Sequence, residues 1–230
     1  MEHLPNGFTL ELCPSAFPLS TDSMVLAHFT RLPKNARVLD LGAGCGTLGL
    51  LLCSKDSSCQ IIGIELNEEA HTMALKNICR NSLDARMESL CTDLRSVSEK
   101  FSPGQFSCCV SNPPYFSGGP ASQSHAIARR EDCCSPDDLF KAAAWSLKFG
   151  GDFFLVHKPE RLADLIAKAA VYKLEAKRLL LLRHKENGPI TLIFLHFRKG
   201  AKPGLIIEEQ SLFTTENHPT SYYKEVYHTE

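Results

Sequence analysis

At 230 residues, 43% hydrophobic and 22% charged with a formal net charge of −1, the chain has the composition of one ordinary globular unit; this excludes a disordered or collagen-like protein and does not by itself announce a nucleic-acid binder. Its longest apolar runs, such as Leu179 to Leu182 and Ile190 to Phe197, are too short to span a bilayer, and Met1 to Gly7 has neither the basic start nor the apolar stretch of a secretory signal. The ten cysteines frame no Cys-x-x-Cys clamp, so they read as small buried hydrophobes in a reducing cytoplasm, with no metal expected.

In chain order, Ser20-Thr21-Asp22 is an N-cap cluster that opens an apolar helix of about ten residues, broken by Pro33 and Asn35. Arg37 to Leu41 reads as a short buried strand, followed by a glycine-rich turn and a helix through Leu48 to Cys53. Gln60 to Glu65 is a second strand, and Asn67 caps a helix over Glu68 to Arg80. Arg86 to Cys91 and Phe106 to Ser111 are strands three and four. Tyr115 to Ser135 is loop-like. A helix runs from Pro136 to Lys148, Gly150-Gly151 turns the chain, and Asp152 to His157 is a fifth strand. Pro159 opens a helix to about Ala170. Glu175 to Leu182 and Ile190 to Arg198 then face each other as an antiparallel hairpin.

Strands alternating with helices imply an α/β fold, a parallel sheet covered on both faces. Ended by an antiparallel hairpin, it is the pattern of the Rossmann-like methyltransferases, whose sheet has seven strands. One domain is expected, with a helical lead-in over 1–35, a catalytic core over 36–200 and a tail over 201–230. Charge is uneven along it. Residues 141–202 carry 13 Lys or Arg against 5 Asp or Glu, whereas 203–230 carry 1 against 5. The basic segment is either a phosphate-binding face or a solvated surface.

Two motifs carry chemistry. The first is Asp40-Leu41-Gly42-Ala43-Gly44-Cys45-Gly46, between a strand and a helix, with Glu65 closing the next strand 23 residues beyond Gly42. Glycines let the backbone approach a ligand, and a carboxylate at that strand tip suits ribose hydroxyls. Position 47 is Thr, so the dinucleotide pattern Gly-x-Gly-x-x-Gly is absent. The second motif is Asn112-Pro113-Pro114-Tyr115. Two prolines restrict the backbone. The Asn112 side-chain oxygen and the Pro113 carbonyl offer two acceptors for the two N–H bonds of a planar amine, and Tyr115 offers a ring to stack on its base.

Asp40-x-Gly42-x-Gly44-x-Gly46 resembles motif I of class I methyltransferases. The resemblance implies S-adenosylmethionine as cofactor, with Asp40 near its methionine end and Glu65, Leu66 and Asn112 among its contacts. It also implies Asp93 at the cofactor's adenine amine; the other reading of Asp93 is an N-cap. Over nearly its whole length the chain resembles the bacterial tRNA1(Val) adenine-37 N6-methyltransferase family. The match runs from Phe17-Pro18-Leu19-Ser20-Thr21-Asp22 through both motifs and Ala128-Arg129-Arg130-Glu131 to His157-Lys158-Pro159-Glu160-Arg161-Leu162. It implies transfer to adenosine N6 in the tRNA anticodon loop, in the cytoplasm, with no DNA or membrane partner. Arg129, Arg130, Lys158 and Arg161 are the candidate RNA contacts, with Arg183, Lys185, Arg198 and Lys199 behind them; a monomer is favoured. The rival readings are a release-factor-type protein glutamine N5-methyltransferase, which normally has a helical domain before the glycine loop, and a non-catalytic RNA- or nucleotide-binding module of this fold.

Overall fold

The computed structural model describes residues 1–4, 7–14, 19–114 and 134–228. A two-stranded ribbon, β1 (Glu2–His3) and β2 (Thr9–Leu10), precedes helix α1 (Thr21–Phe29). There follow β3 (Arg37–Leu41), α2 (Thr47–Lys55), β4 (Gln60–Glu65), α3 (Glu68–Arg80), β5 (Met87–Cys91), α4 (Val97–Lys100) and β6 (Phe106–Ser111). The second half holds α5 (Pro136–Ser146), β7 (Leu147–His157), α6 (Leu162–Val171), β8 (Leu174–Lys185), β9 (Ile190–Lys199), β10 (Ile206–Phe213) and α7 (Ser221–Tyr227).

Eight strands form one sheet in the order β10-β8-β9-β7-β6-β3-β4-β5, parallel throughout except for β9, which pairs antiparallel with both β7 and β8. The expected architecture is therefore present, with one strand more than the seven expected. The addition is β10, in the segment expected to be a tail. It joins the outer edge of β8 in parallel and is tied there by ion pairs from Arg178 to Glu208 at 2.8 Å and from Arg183 to Glu209. Two arginines of the basic segment are thus paired with two glutamates of the acidic tail across neighbouring strands.

Local chemistry explains the element starts. Asn67 Oδ1 accepts the Ala70 N–H at 3.0 Å, and Ser135 with Asp138 forms a reciprocal cap on α5, with Pro136 at its first position. That helix stops at Ser146 rather than Lys148 because the chain enters β7 at Leu147. The expected Gly150-Gly151 turn appears inside β7 as a register break, between the Phe106–Leu147 and Cys108–Asp152 pairs. Each face of the sheet has its own core, one built around α1, α2 and α3, the other around α5 and α6. Of the nine described cysteines, all free, six are buried within these layers. Cys133 lies outside the described residues.

One polar device fixes α1. The Lys55 ammonium, at the end of α2, donates to the carbonyls of Ala27, His28 and Thr30 at 3.0, 2.8 and 2.7 Å. A cation at a helix C-terminus meets both the orphan carbonyls and the negative end of the dipole. The other end of α1 is held by Tyr227, whose hydroxyl donates to Thr21 Oγ1 at 3.1 Å.

Candidate active site

The strand order sets the two sequence motifs side by side. From β3 the chain proceeds outward to β4 and β5; from β6, the neighbour of β3, it proceeds the other way to β7. Connections diverging from adjacent parallel strands leave a crevice beyond their carboxyl ends, where such sheets bind ligands. Here β3 runs into the glycine loop and β6 runs into Asn112. A cavity of about 600 Å³ occupies the crevice.

Of the residues read from the sequence, Gly42, Gly44, Glu65, Leu66, Asp93, Asn112, Pro113 and Pro114 line this cavity. Asp40 and Gly46 do not. Tyr115, Arg129 and Arg130 lie outside the described residues. Lys158 and Arg161 follow β7 at the same end of the sheet without lining the cavity.

Gly42 and Gly44 have φ of +80° and +55°, and a Cβ added at either would meet nothing within 4 Å. Side chains there would be strained and would project into the space left for a ligand. Gly46, φ +86°, is different: a Cβ would meet Met87 Cε at 3.0 Å, so this glycine lets α2 pack closely. The Gly42 and Ala43 N–H groups both donate to the Ile64 carbonyl, folding the loop onto the end of β4. Glu65, last in β4, accepts from Gly44 N at 2.8 Å and from Asn67 N at 2.7 Å, one bond to each carboxylate oxygen. Each oxygen keeps further acceptor capacity.

Asp93 satisfies both of its readings. It caps a single 3-10 turn by accepting the Arg95 N–H at 2.8 Å, and it lines the cavity. The Arg95 guanidinium, bonded to its second oxygen, holds the Asp93 carboxyl below the usual carboxylate range. Asp40 is fully buried, and among the described residues neither carboxylate oxygen has a partner. Burial first, and the nearby Glu65 charge second, push its carboxyl up to about 8. Among the described residues nothing partners this carboxyl, which stands directly before the glycine loop.

The first turn of α1 contributes residues that sequence reasoning took only as a helix start: Ser20, Asp22 and Ser23 also line the cavity. Burial raises the Asp22 carboxyl, with the Lys158 charge acting in the opposite sense. Asn112 Nδ2 donates to Ser23 Oγ at 3.0 Å. The available signal was the sequence Asp22-Ser23 placed directly against an otherwise apolar helix.

Several basic residues are already committed. Arg161 Nη2 donates to Asp164 at 2.6 Å. Arg198 Nε donates to Asp152 at 2.7 Å, and the Lys199 ammonium donates to the carbonyls of Ala144 and Leu147. Arg198 and Lys199 also sit at the amino end of β7, opposite the cavity, because β9 runs antiparallel to it. They therefore lie away from the crevice.

A mostly parallel sheet of this order, with a glycine loop and an Asn-Pro-Pro turn at one switch point, defines a class I methyltransferase. A predicted O-methyltransferase from Agrobacterium tumefaciens superimposes with a TM-score of 0.75 at 19% identity, over 90% of this chain and 96% of that one. The model of the methyltransferase small domain matches residues 19–176. The chain is 32% identical to a tRNA1(Val) (adenine(37)-N6)-methyltransferase of Bacteroides fragilis over 84% of its own length and 82% of the relative's. It is 30% identical to the protein of that description from Bacteroides thetaiotaomicron over 95% and 92%. The chain belongs to the tRNA1(Val) (adenine(37)-N6)-methyltransferase family.

Proposed function

We propose that this chain transfers a methyl group from S-adenosylmethionine to the exocyclic N6 amine of an adenosine in tRNA, at position 37 beside the anticodon. The observation that carries the reading is that the glycine loop and the Asn112-Pro113 turn leave adjacent strands and border one cavity. The donor set suits the cofactor. Gly42 and Gly44 leave room for it, Glu65 has acceptor capacity for ribose hydroxyls, and the buried Asp40 carboxyl just before the loop offers a counter-charge to its ammonium. When bound, S-adenosylmethionine supplies an electrophilic methyl on a sulfonium.

The chain's own residues position the acceptor. Asn112 Oδ1 and the Pro113 carbonyl accept the two amine N–H bonds, which draws the nitrogen lone pair out of conjugation and aims it. Tyr115 stacks on the base, a contact worth roughly 1–3 kcal/mol in nucleic-acid sites. Alignment and fixed dipoles suffice for a direct displacement, so no covalent intermediate on the protein is needed. A base in an RNA loop is unpaired, so extruding it costs little. Lys158 beside Asp22 at the rim, Arg161, and Arg129 with Arg130 are the groups for RNA phosphates. The chain acts in the cytoplasm as a single domain and a monomer.

Glu65→Ala should weaken S-adenosylmethionine binding roughly 10- to 100-fold, the range for losing hydrogen bonds to a charged acceptor. Calorimetry reads it directly; unchanged affinity removes Glu65 from the ribose site. The function itself is tested by incubating the protein with methyl-labelled cofactor and either total tRNA or protein extract. Label should appear in tRNA, as N6-methyladenosine on mass spectrometry. Label confined to protein, as N5-methylglutamine, would overturn the reading.

A further inference from the structure

Ser23 stands in the first turn of α1, 89 residues from Asn112 in sequence, yet its hydroxyl is the group that meets the Asn112 amide. Both side chains line the cavity, and Ser23 is only 8% exposed. We propose that Ser23 is a positioning residue for methyl transfer: by accepting the Asn112 Nδ2–H it leaves Oδ1 as the end of the amide that faces the acceptor amine. The inference deepens the functional reading above and rests on it.

An asparagine amide has two ends of nearly equal size and opposite hydrogen-bonding character, so the neighbours decide which end points where. Turned by 180°, Asn112 would present N–H₂ to an amine that itself presents N–H. Donor would meet donor, and the acceptor that holds the amine hydrogen would be lost. Among the described residues, Ser23 is the only side chain bonded to the Asn112 amide. Without it the Nδ2 group has no side-chain partner among the described residues, and the amide is free to turn.

The serine can do this because its scaffold is fixed from three directions. Lys55 clamps the carbonyl end of α1, and Tyr227 from α7 bonds Thr21 two residues before Ser23. Met24, Val25 and Leu26 directly after it are buried in the core. Asn112 is fixed from the other side by β6 and by Pro113, whose ring restricts the backbone on either side of the bond. An oxygen held on one element meets an amide held on another, so their contact holds the amide in place, with Nδ2 on Ser23 and Oδ1 left for the acceptor amine.

The test uses the full chain with Ser23→Ala and Ser23→Thr, the second keeping the oxygen. With a tRNA that the wild type methylates, single-turnover transfer in Ser23→Ala should slow about tenfold, while the tRNA KM and the cofactor Kd stay within about twofold. Ser23→Thr should stay within about threefold of wild type. Independently of any substrate, the side-chain N–H₂ pair of Asn112 in ¹⁵N spectra, assigned through its loss in Asn112→Asp, should move in Ser23→Ala and hold in Ser23→Thr. An unchanged rate in Ser23→Ala, a loss that appears in KM or Kd, an equal loss in Ser23→Thr, or an unmoved N–H₂ pair would each overturn the proposal. A wild type that methylates no tRNA sinks the functional reading instead, and the spectra still decide whether Ser23 holds Asn112.

Discussion

Asn112→Ala should abolish methyl transfer, by about 10³-fold or more, while leaving cofactor affinity within about twofold. Asn112 is the residue at which the sheet, the proline turn and the first turn of α1 converge: it leaves β6 at the switch point, lines the cavity and bonds Ser23. In the proposed function its Oδ1 is the acceptor that steers the amine nitrogen, and that interaction matters most as the nitrogen becomes tetrahedral and its hydrogens more positive. Removing one preorganised group of this kind typically costs about 10² to 10³ in rate. Here a second effect adds to it, because loss of the acceptor also lets the nitrogen lone pair return to conjugation. The cofactor's holding groups, Glu65 and the glycine loop, lie on β3 and β4 and are untouched by the change. Single-turnover transfer to tRNA and calorimetry with S-adenosylmethionine separate the two quantities. Residual activity above about one part in a hundred, or a tenfold loss of affinity, would remove Asn112 from its assigned role.

The central strands were legible because their signals are local. Val38-Leu39 and Ile61-Ile62 are apolar runs bounded by turn residues, and burial on both faces of a parallel sheet asks for nothing more. Glycine spacing and the Asn-Pro-Pro turn were legible for the same reason, since each encodes its own backbone. β10 was not. Ile206 and Ile207 are both exposed and are followed by two glutamates, so the strand shows neither alternation nor an apolar run. It is held by its ladder to β8 and by pairs to Arg178 and Arg183, partners that sequence alone does not identify. The same pairing commits two arginines of the basic surplus of residues 141–202. Ser23 escaped notice because its meaning lies in a residue on a different element; on its own helix it is one more polar residue near an N-terminus.

Asp40 gives the other large effect: S-adenosylmethionine binding should release close to one proton at pH 7, and Asp40→Asn should remove that release and weaken binding on the order of 100-fold. In the cofactor-free protein the carboxyl is fully buried, and among the described residues neither oxygen has a partner. Burial, assisted by Glu65, raises it from its ordinary 3.8 to about 8, so at pH 7 it is mostly protonated. A folded pKa above the unfolded one stabilises the fold in full below the unfolded value, and that contribution is lost as pH rises through the folded value. The melting temperature of the cofactor-free protein should therefore fall between about pH 4 and 8 and level off above, and fall less in Asp40→Asn. In the proposed site the Asp40 carboxylate would gain a counter-charge from the ammonium of bound cofactor and would give up its proton to solvent. Removing one partner of a buried charge pair costs about 2–5 kcal/mol, which is why a near-isosteric amide is expected to be so poor a substitute. Calorimetry in two buffers of different ionisation enthalpy counts the proton. A wild type that releases none, together with an Asp40→Asn variant of undiminished affinity, would mean that the carboxyl serves only to shape the loop.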